Sequence, residues 1–313
     1  MSKRKQEVHE VSGPVERQQA QALVWAAGCA TTDQSHPILT GVHWVRTAED
    51  VIQIAATDTY RLAVVETIAE RAAAFAQPKR NQEWHLPAAP VRKAFSSRKS
   101  REAGLMYLEP GLVAGGRRAE YDPPVATGQY PRWQSVVPGD EAPARWFNGV
   151  SIKHLAAAVS DATRVMRGNK EKSGDMLRFD ERDGAMEIVG TTTIDGDSPL
   201  RAAYRGLVNA AEIAHDPEVS TDPVWFDPHL LNGPVGEMAD MWPEAEVSLR
   251  LGTPLSAMMI EAKMEPLVHL RLVVMPRQWM GEDERYSAGV FGWLSRGGKP
   301  QHGNGGGSED PPS

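Results

Sequence analysis

Residues 38–64 constrain the chain more than any other stretch. Apolar residues alternate at Val42 and Trp44, and recur at Val51, Ile52 and Ile54, the two-residue period of a strand with one buried face. The turn formers Thr57-Asp58-Thr59 follow, and another strand starts at Tyr60. The stretches Ile38 to Val45 and Ile52 to Val64 therefore read as two or three antiparallel strands, the sheet ending at about Thr67.

Helix signals flank this sheet. Ser12-Gly13-Pro14 marks a start, with proline in the first turn, and the helix runs to about Ala27 before Gly28 stops it. Val15, Ala22, Leu23 and Ala26 form its apolar face, and a short strand over Glu7 to Val11 precedes it. After an alanine-rich connection come a strand at Glu83 to Leu86 and a second helix from Pro87 or Ala88 carrying Val91 and Phe95. Three strands then follow, at 104–108, 112–114 and 117–121, divided by Pro110-Gly111 and Gly115-Gly116.

The second half repeats the plan. A strand at Arg145 to Asn148 leads to a helix capped by Ser151 and running to Arg167, with Ile152, Leu155, Val159 and Val165 facing inward. Strands follow at 176–179 and 185–189, joined by a hairpin at Asp183-Gly184. The order then continues with strands at 200–204 and 224–226, a helix near 228–238, and strands at 246–251, 257–261 and 267–275. The helix pairs of the two halves are offset by about one domain length. The pattern predicts an α+β protein of two tandem domains, residues 1–139 and 140–280, each with two helices packed on antiparallel sheet. Beyond these, 281–313 reads as a flexible tail, rich in Gly, Pro and Ser at its end, with an apolar island at Val290-Phe291-Gly292-Trp293-Leu294.

Composition narrows the function classes. The 313 residues are 41% apolar and 24% charged, a soluble globular balance with no apolar run of membrane-spanning length and no signal peptide, so a cytoplasmic protein is expected. The single cysteine, Cys29, excludes an intrachain disulfide and any multi-cysteine metal site, and reads as a small buried residue near a helix end. There is no phosphate loop, dinucleotide fingerprint, paired-histidine zinc motif or nucleophile elbow. The nine histidines are spread widely with none at ligand spacing to an acid. Asp58 reads as a turn-capping carboxylate rather than a catalytic acid, and Asp195 and Asp197 as turn residues rather than a metal pair. No enzyme, cofactor or metal is expected. The net charge of −7 does not exclude a nucleic-acid partner, because basic residues cluster at Arg92, Lys93, Arg98, Lys99 and Arg101, and at Arg164, Arg167, Lys170 and Lys172.

Four segments carry a resemblance. Ile38-Leu39-Thr40-Gly41-Val42 and Ala56-Thr57-Asp58-Thr59-Tyr60-Arg61-Leu62 resemble the P-I-L-x-G-V and A-T-D-x-x-R-L-A segments of the bacterial DNA polymerase III beta sliding clamp. Tyr130-Pro131-Arg132-Trp133-Gln134-Ser135-Val136-Val137-Pro138 resembles that family's F-P-D-Y-x-x-V-x-P, and Leu272-Val273-Val274-Met275-Pro276 its V-V-M-P. In this order and spacing, the segments align residues 7–280 with the second and third domains of a beta clamp, with no first domain. The resemblance implies a DNA sliding clamp, a processivity factor that encircles duplex DNA and tethers a replicative polymerase. Its hydrophobic groove would hold short peptide motifs of the polymerase and the clamp loader, lined by Leu39, Thr57, Tyr60, Arg61, Leu62, Pro131, Val136, Leu255, Val273, Val274, Met275 and Pro276.

A sliding contact with duplex DNA needs cations facing phosphates without reading base edges. Arg17, Arg92, Lys93, Arg98, Lys99, Lys153, Arg164 and Arg167 flank the predicted helices and suit that role. A six-domain ring built from two-domain chains requires three copies with head-to-tail interfaces, so a homotrimer is expected, from a phage or plasmid replication system. The sequence departs from the family pattern at Thr59, where glycine is usual, at Ser135, where arginine is usual, and at Arg277-Gln278-Trp279, which replaces a short terminus. The rival expectation is a clamp-fold protein that binds a host clamp or polymerase without encircling DNA.

Overall fold

The structure is a computed structural model describing residues 14–68, 83–94, 105–108, 111–114, 117–120, 129–139, 141–167, 175–192, 201–219, 224–253, 256–264 and 268–276. The expected strand at 7–11, the turn residues Asp195 and Asp197, and the tail at 281–313 lie outside the described residues.

The chain opens with α1 (Pro14–Ala27), which the Gly28 amide closes by donating to the Val24 and Trp25 carbonyls. Ala22, Leu23, Trp25 and Ala26 are all fully buried, because this end of the helix is covered by sheet on one side and by other helices elsewhere. Cys29 follows in the same core, and burial pushes its thiol up to about 12. The expected strand over Ile38 to Thr40 is instead a 3₁₀ turn, Pro37–Thr40. Pro37 fixes φ at its first position, the Leu39 amide donates to the His36 carbonyl at 2.9 Å, and Thr40 Oγ1 donates back to the Pro37 carbonyl at 2.8 Å.

Three strands follow: β1 (Gly41–Arg46), β2 (Val51–Thr57) and β3 (Arg61–Ile68). After them come β4 (Glu83–Pro87), α2 (Ala88–Ala94), β5 (Leu105–Leu108), β6 (Gly111–Ala114) and β7 (Arg117–Glu120). The second half begins with β8 (Arg145–Ser151) and α3 (Ile152–Arg167), and continues with β9 (Met176–Arg182), β10 (Ala185–Thr192) and β11 (Arg201–Val208). A short β12 (Glu212–His215), which the sequence pattern does not signal, precedes β13 (Val224–Phe226) and α4 (Pro228–Met241). The described chain ends with β14 (Glu246–Leu251), β15 (Met258–Met264) and β16 (Val268–Val274).

Local chemistry accounts for several boundaries. The β9–β10 hairpin turns on Asp183 and Gly184 with φ of 53° and 74°, the paired positive dihedrals of a two-residue turn whose twist matches its strands. In α3, Ile152, Leu155, Val159, Ala162 and Met166 recur at helical spacing and are buried. Val165, expected on that face, is 41% exposed, one position off the 3.6-residue stripe that Met166 completes. Asp227 caps α4 by accepting from the His229 amide at 2.8 Å, and Pro228 occupies its first turn.

The two halves are copies of one plan. β4-β1-β2-β3 and β13-β9-β10-β11 are the same four-strand order, and β5-β6-β7 matches β14-β15-β16. The copies merge, because β16 pairs antiparallel with β3 over six residues, from His269↔Glu66 to Val274↔Arg61. One nine-stranded sheet results, ordered β12-β8-β14-β15-β16-β3-β2-β1-β4.

This shared sheet has two unlike faces. Ile52, Ile54, Ala56, Ala63, Val65, Leu270, Leu272 and Val274 point into the larger core, where the helices pack. Helices from the two halves also bind each other directly: Trp25 Nε1 on α1 donates to the Pro234 carbonyl on α4 at 3.1 Å. No described helix is long and apolar enough to cross a membrane.

Candidate peptide-binding groove and helical face

On the sheet face opposite the helices, Leu39, Ala55, Leu62, Val64, Tyr130, Trp133, Ala257, Met259, Val273 and Met275 form a second apolar cluster, flanked by Ile38, Val136, Val137 and Trp146. The cluster straddles the β3–β16 seam, since Leu62 is directly paired with Val273. Segment 129–138 lies across it, burying Tyr130 and Trp133. Arg250, itself 2% exposed, anchors the end of that segment by donating to the Pro138 carbonyl at 3.2 Å and to the Ala142 carbonyl, while its guanidinium lies 4.9 Å from the centre of the Trp146 ring.

Of the sequence-predicted groove residues, Leu39, Leu62, Val136, Val273 and Met275 meet in this cluster. Pro131 and Pro276 are half-buried on the segments entering and leaving it. Val274 points to the opposite face and packs in the helical core, because neighbouring residues of a strand alternate sides. Leu255 lies outside the described residues.

Thr57, Tyr60 and Arg61 build the corner at the cluster's edge. Thr57 is 1% exposed; its hydroxyl donates to the Arg61 carbonyl at 2.6 Å and accepts from the Thr59 amide at 3.0 Å. Asp58 caps the turn as expected, accepting from the Tyr60 and Arg61 amides at 3.1 and 3.0 Å. Thr59 sits at φ +80°, the left-handed region that favours glycine. Tyr60 is 50% exposed, and its carbonyl accepts from the Met275 amide at 2.9 Å, tying the corner to the end of β16.

Arg61 reaches across the halves. Its Nε pairs with Asp58 at 2.8 Å, and Nη1 donates to the Leu230 carbonyl at 3.2 Å. That carbonyl lacks its usual helical donor, because the residue four positions on is Pro234, which has no N–H. The family resemblance implies a groove role for Arg61; the fold makes it the substitute donor for a proline-interrupted helix in the other half.

Beyond the apolar cluster, the same sheet face carries a charged ladder. Arg271 pairs with Glu66 at 2.7 Å and with Glu261 at 3.2 Å, His269 hydrogen-bonds Glu261, and Gln53 Nε2 donates to Glu66 at 2.8 Å. The hydrogen bond from His269, aided by Arg271, holds the Glu261 carboxyl down at about 2.

Toward the β4 end, His43 and His85 are directly opposed across β1 and β4, with ring centres 5.2 Å apart. Tyr130 stacks on His43 at 4.7 Å with 16° between the planes. Burial pushes both imidazoles below their ordinary range. Glu83, two residues from His85 and so on the same strand face, brings Oε2 to 3.3 Å from His43 Nε2. No metal motif marks the arrangement in the sequence, because His43 lies forty residues from Glu83 along the chain. The Glu-x-His alternation on a predicted strand is the one local signal of the arrangement.

The basic residues assigned to DNA divide. Lys93 at the end of α2 and Lys153 at the start of α3 are exposed and make no ion pair with a described residue. Arg92 pairs with Glu237 on α4 at 2.9 Å, and Arg164, whose side chain is 79% exposed, pairs with Asp161 at 2.8 Å. Arg17 and Arg167 lie on α1 and α3, their side chains undescribed, and Arg98 and Lys99 lie outside the described residues.

The architecture is that of an α+β protein with paired clamp-type repeats, and comparison with solved structures agrees. The chain is similar to the DNA polymerase III beta chain of Streptococcus pneumoniae, with TM-score 0.60 and 15% identity over 89% of this chain and 69% of that one. It is similar to the DNA polymerase beta subunit of Streptococcus pyogenes, with TM-score 0.61 and 13% identity over 88% and 69%. It also matches the DNA polymerase sliding clamp of Bacillus subtilis, with TM-score 0.58 and 15% identity over 84% and 63%. No family model and no curated protein matches the sequence. The chain has the fold of the bacterial DNA polymerase III beta sliding clamp.

Proposed function

We propose that this chain is a DNA sliding clamp, a processivity factor that encircles duplex DNA and tethers a replicative polymerase without performing chemistry itself. The observation that carries the proposal is the β3–β16 seam. It makes one continuous sheet from two clamp-like repeats, with helices on one face and the apolar cluster spanning both repeats on the other. An extended peptide carrying apolar anchors suits such a cluster, with the Tyr60–Arg61 corner fixing its direction. The polymerase and a clamp loader are the partners expected there, in the cytoplasm of the host cell.

The same seam supports a ring. Within their repeats, β11 and β7 occupy the positions of β3 and β16, and each is an outer strand with no further strand beside it among the described residues. A second chain laid head to tail would pair its β7 with β11 as β16 pairs with β3, covering Leu207, which is 58% exposed on β11. Two-repeat chains then close a six-repeat ring as a homotrimer, with Lys93, Lys153 and the neighbouring arginines toward the bore.

The test is retention on DNA. Loaded on nicked circular plasmid, the protein should co-elute with the DNA through a sizing column and be released when the plasmid is linearised. Equal retention on both forms, or a persistent monomer by light scattering across a concentration range, overturns the reading. A second reading, a clamp-fold protein that engages a polymerase or another clamp without encircling DNA, is favoured by the acids Glu237 and Asp161, which neutralise Arg92 and Arg164 on the helices. Peptide binding without topological retention is its expected result.

A further inference from the structure

The cluster of His43, Glu83 and His85 has no part in the function proposed above. Its ligand-type atoms all lie within 4.8 Å of one another. His43 is 7% exposed; its Nδ1 has no hydrogen-bond partner among the described residues, and its Nε2 faces the Glu83 carboxylate at 3.3 Å. An imidazole buried in this way leaves a desolvated ring nitrogen uncompensated, a deficit most buried groups avoid. The Tyr130 ring stacked on His43 and its direct opposition to His85 hold it in place.

We propose that His43, Glu83 and His85 form a zinc-binding site. Two imidazoles and one carboxylate are a donor set that suits Zn(II), and three protein ligands leave a fourth position for water or for a side chain of a partner. Bond lengths of about 2.0–2.2 Å put tetrahedral ligand atoms roughly 3.3–3.5 Å apart. Separations of up to 4.8 Å must therefore close by at most about 1.5 Å. Glu83, whose side chain is 53% exposed on β4, already lies 3.3 Å from His43 Nε2, and His85 is only half-buried, so these two can adjust while His43 stays fixed. A bound ion would clip β4 to β1 directly beneath Tyr130, the residue that begins the segment covering the apolar cluster.

The experiment uses the full chain, stripped with EDTA and desalted. Zinc is titrated by calorimetry at pH 7.5 against a competing chelator, and Co(II) is followed by its visible absorption. One ion per chain is expected, with the intense visible bands of a four-coordinate cobalt. Glu83→Gln should weaken binding about 10- to 100-fold and His85→Ala by more. His215→Ala, at a separate surface pair with Glu181, should leave it unchanged. Circular dichroism checks each fold; if His85→Ala is misfolded, the exposed Glu83→Gln decides. Absence of saturable one-ion binding in the unmodified chain, or affinity undiminished in Glu83→Gln, overturns the proposal.

Discussion

Arg61→Ala is the substitution that most directly probes how the two halves are joined. Arg61 holds the Asp58 carboxylate at 2.8 Å and donates to the Leu230 carbonyl at 3.2 Å, in place of the amide that Pro234 lacks. Truncation loses a charge-assisted hydrogen bond, worth about 1.5–3 kcal/mol, and leaves that carbonyl without its donor. Both groups are partly reached by water, which offsets some of the loss, so the expected destabilisation is about 2–3 kcal/mol. Urea denaturation followed by tryptophan fluorescence and far-ultraviolet circular dichroism measures it. Arg61→Lys keeps the charge but not the fork that serves two acceptors, and should recover less than half of the loss. A double-mutant cycle with Asp58→Ala should leave most of the Arg61 effect intact, since the larger share comes from the other half of the chain. A loss below about 0.5 kcal/mol, or full rescue by lysine, would refute the assignment of Arg61 as the helix's substitute donor.

Three further outcomes are expected. Thr59→Gly should raise stability by about 0.5–1 kcal/mol in the same denaturation assay, because relief of a β-branched residue at φ +80° exceeds the added unfolded-state entropy. Tyr60→Ala should leave the unfolding midpoint nearly unchanged while weakening a clamp-binding peptide about tenfold by calorimetry, since the side chain is half exposed beside the apolar cluster. Glu261 is held at about 2 against an ordinary 4.5. Its depressed carboxyl contributes stability that is complete above about pH 4.5 and lost as pH falls toward 2. The stability advantage of the unmodified chain over Glu261→Gln should therefore be largest above that window and vanish at its acid end.

Much of the local architecture is legible in the sequence because its causes are local. Helical spacing from Ile152 to Val159, the stop at Gly28, the Asp183-Gly184 hairpin and the Asp58 turn each depend on a few neighbouring residues, and all appear in the structure. The duplicated element order follows from the same signals read at longer range. Local reading fails where two local forces compete: Ile38 to Thr40 alternates like a strand, but Pro37 and the Thr40 hydroxyl tighten it into a 3₁₀ turn. It also fails for β12, too short and too exposed to leave a pattern.

The apolar cluster was half legible. Resemblance singled out Leu39, Leu62, Val136, Val273 and Met275, which the fold gathers into one cluster, but strand alternation sends Val274 to the other face. The sequence by itself determined most of the elements, their order and the corner chemistry, since these are set by backbone propensity and hydrogen bonds within a few residues. Only the tertiary structure decided that β16 closes onto β3, that Arg61 serves a helix 169 residues away, and that His43 meets Glu83 and His85. Those contacts depend on register between distant strands, which no short window of sequence encodes.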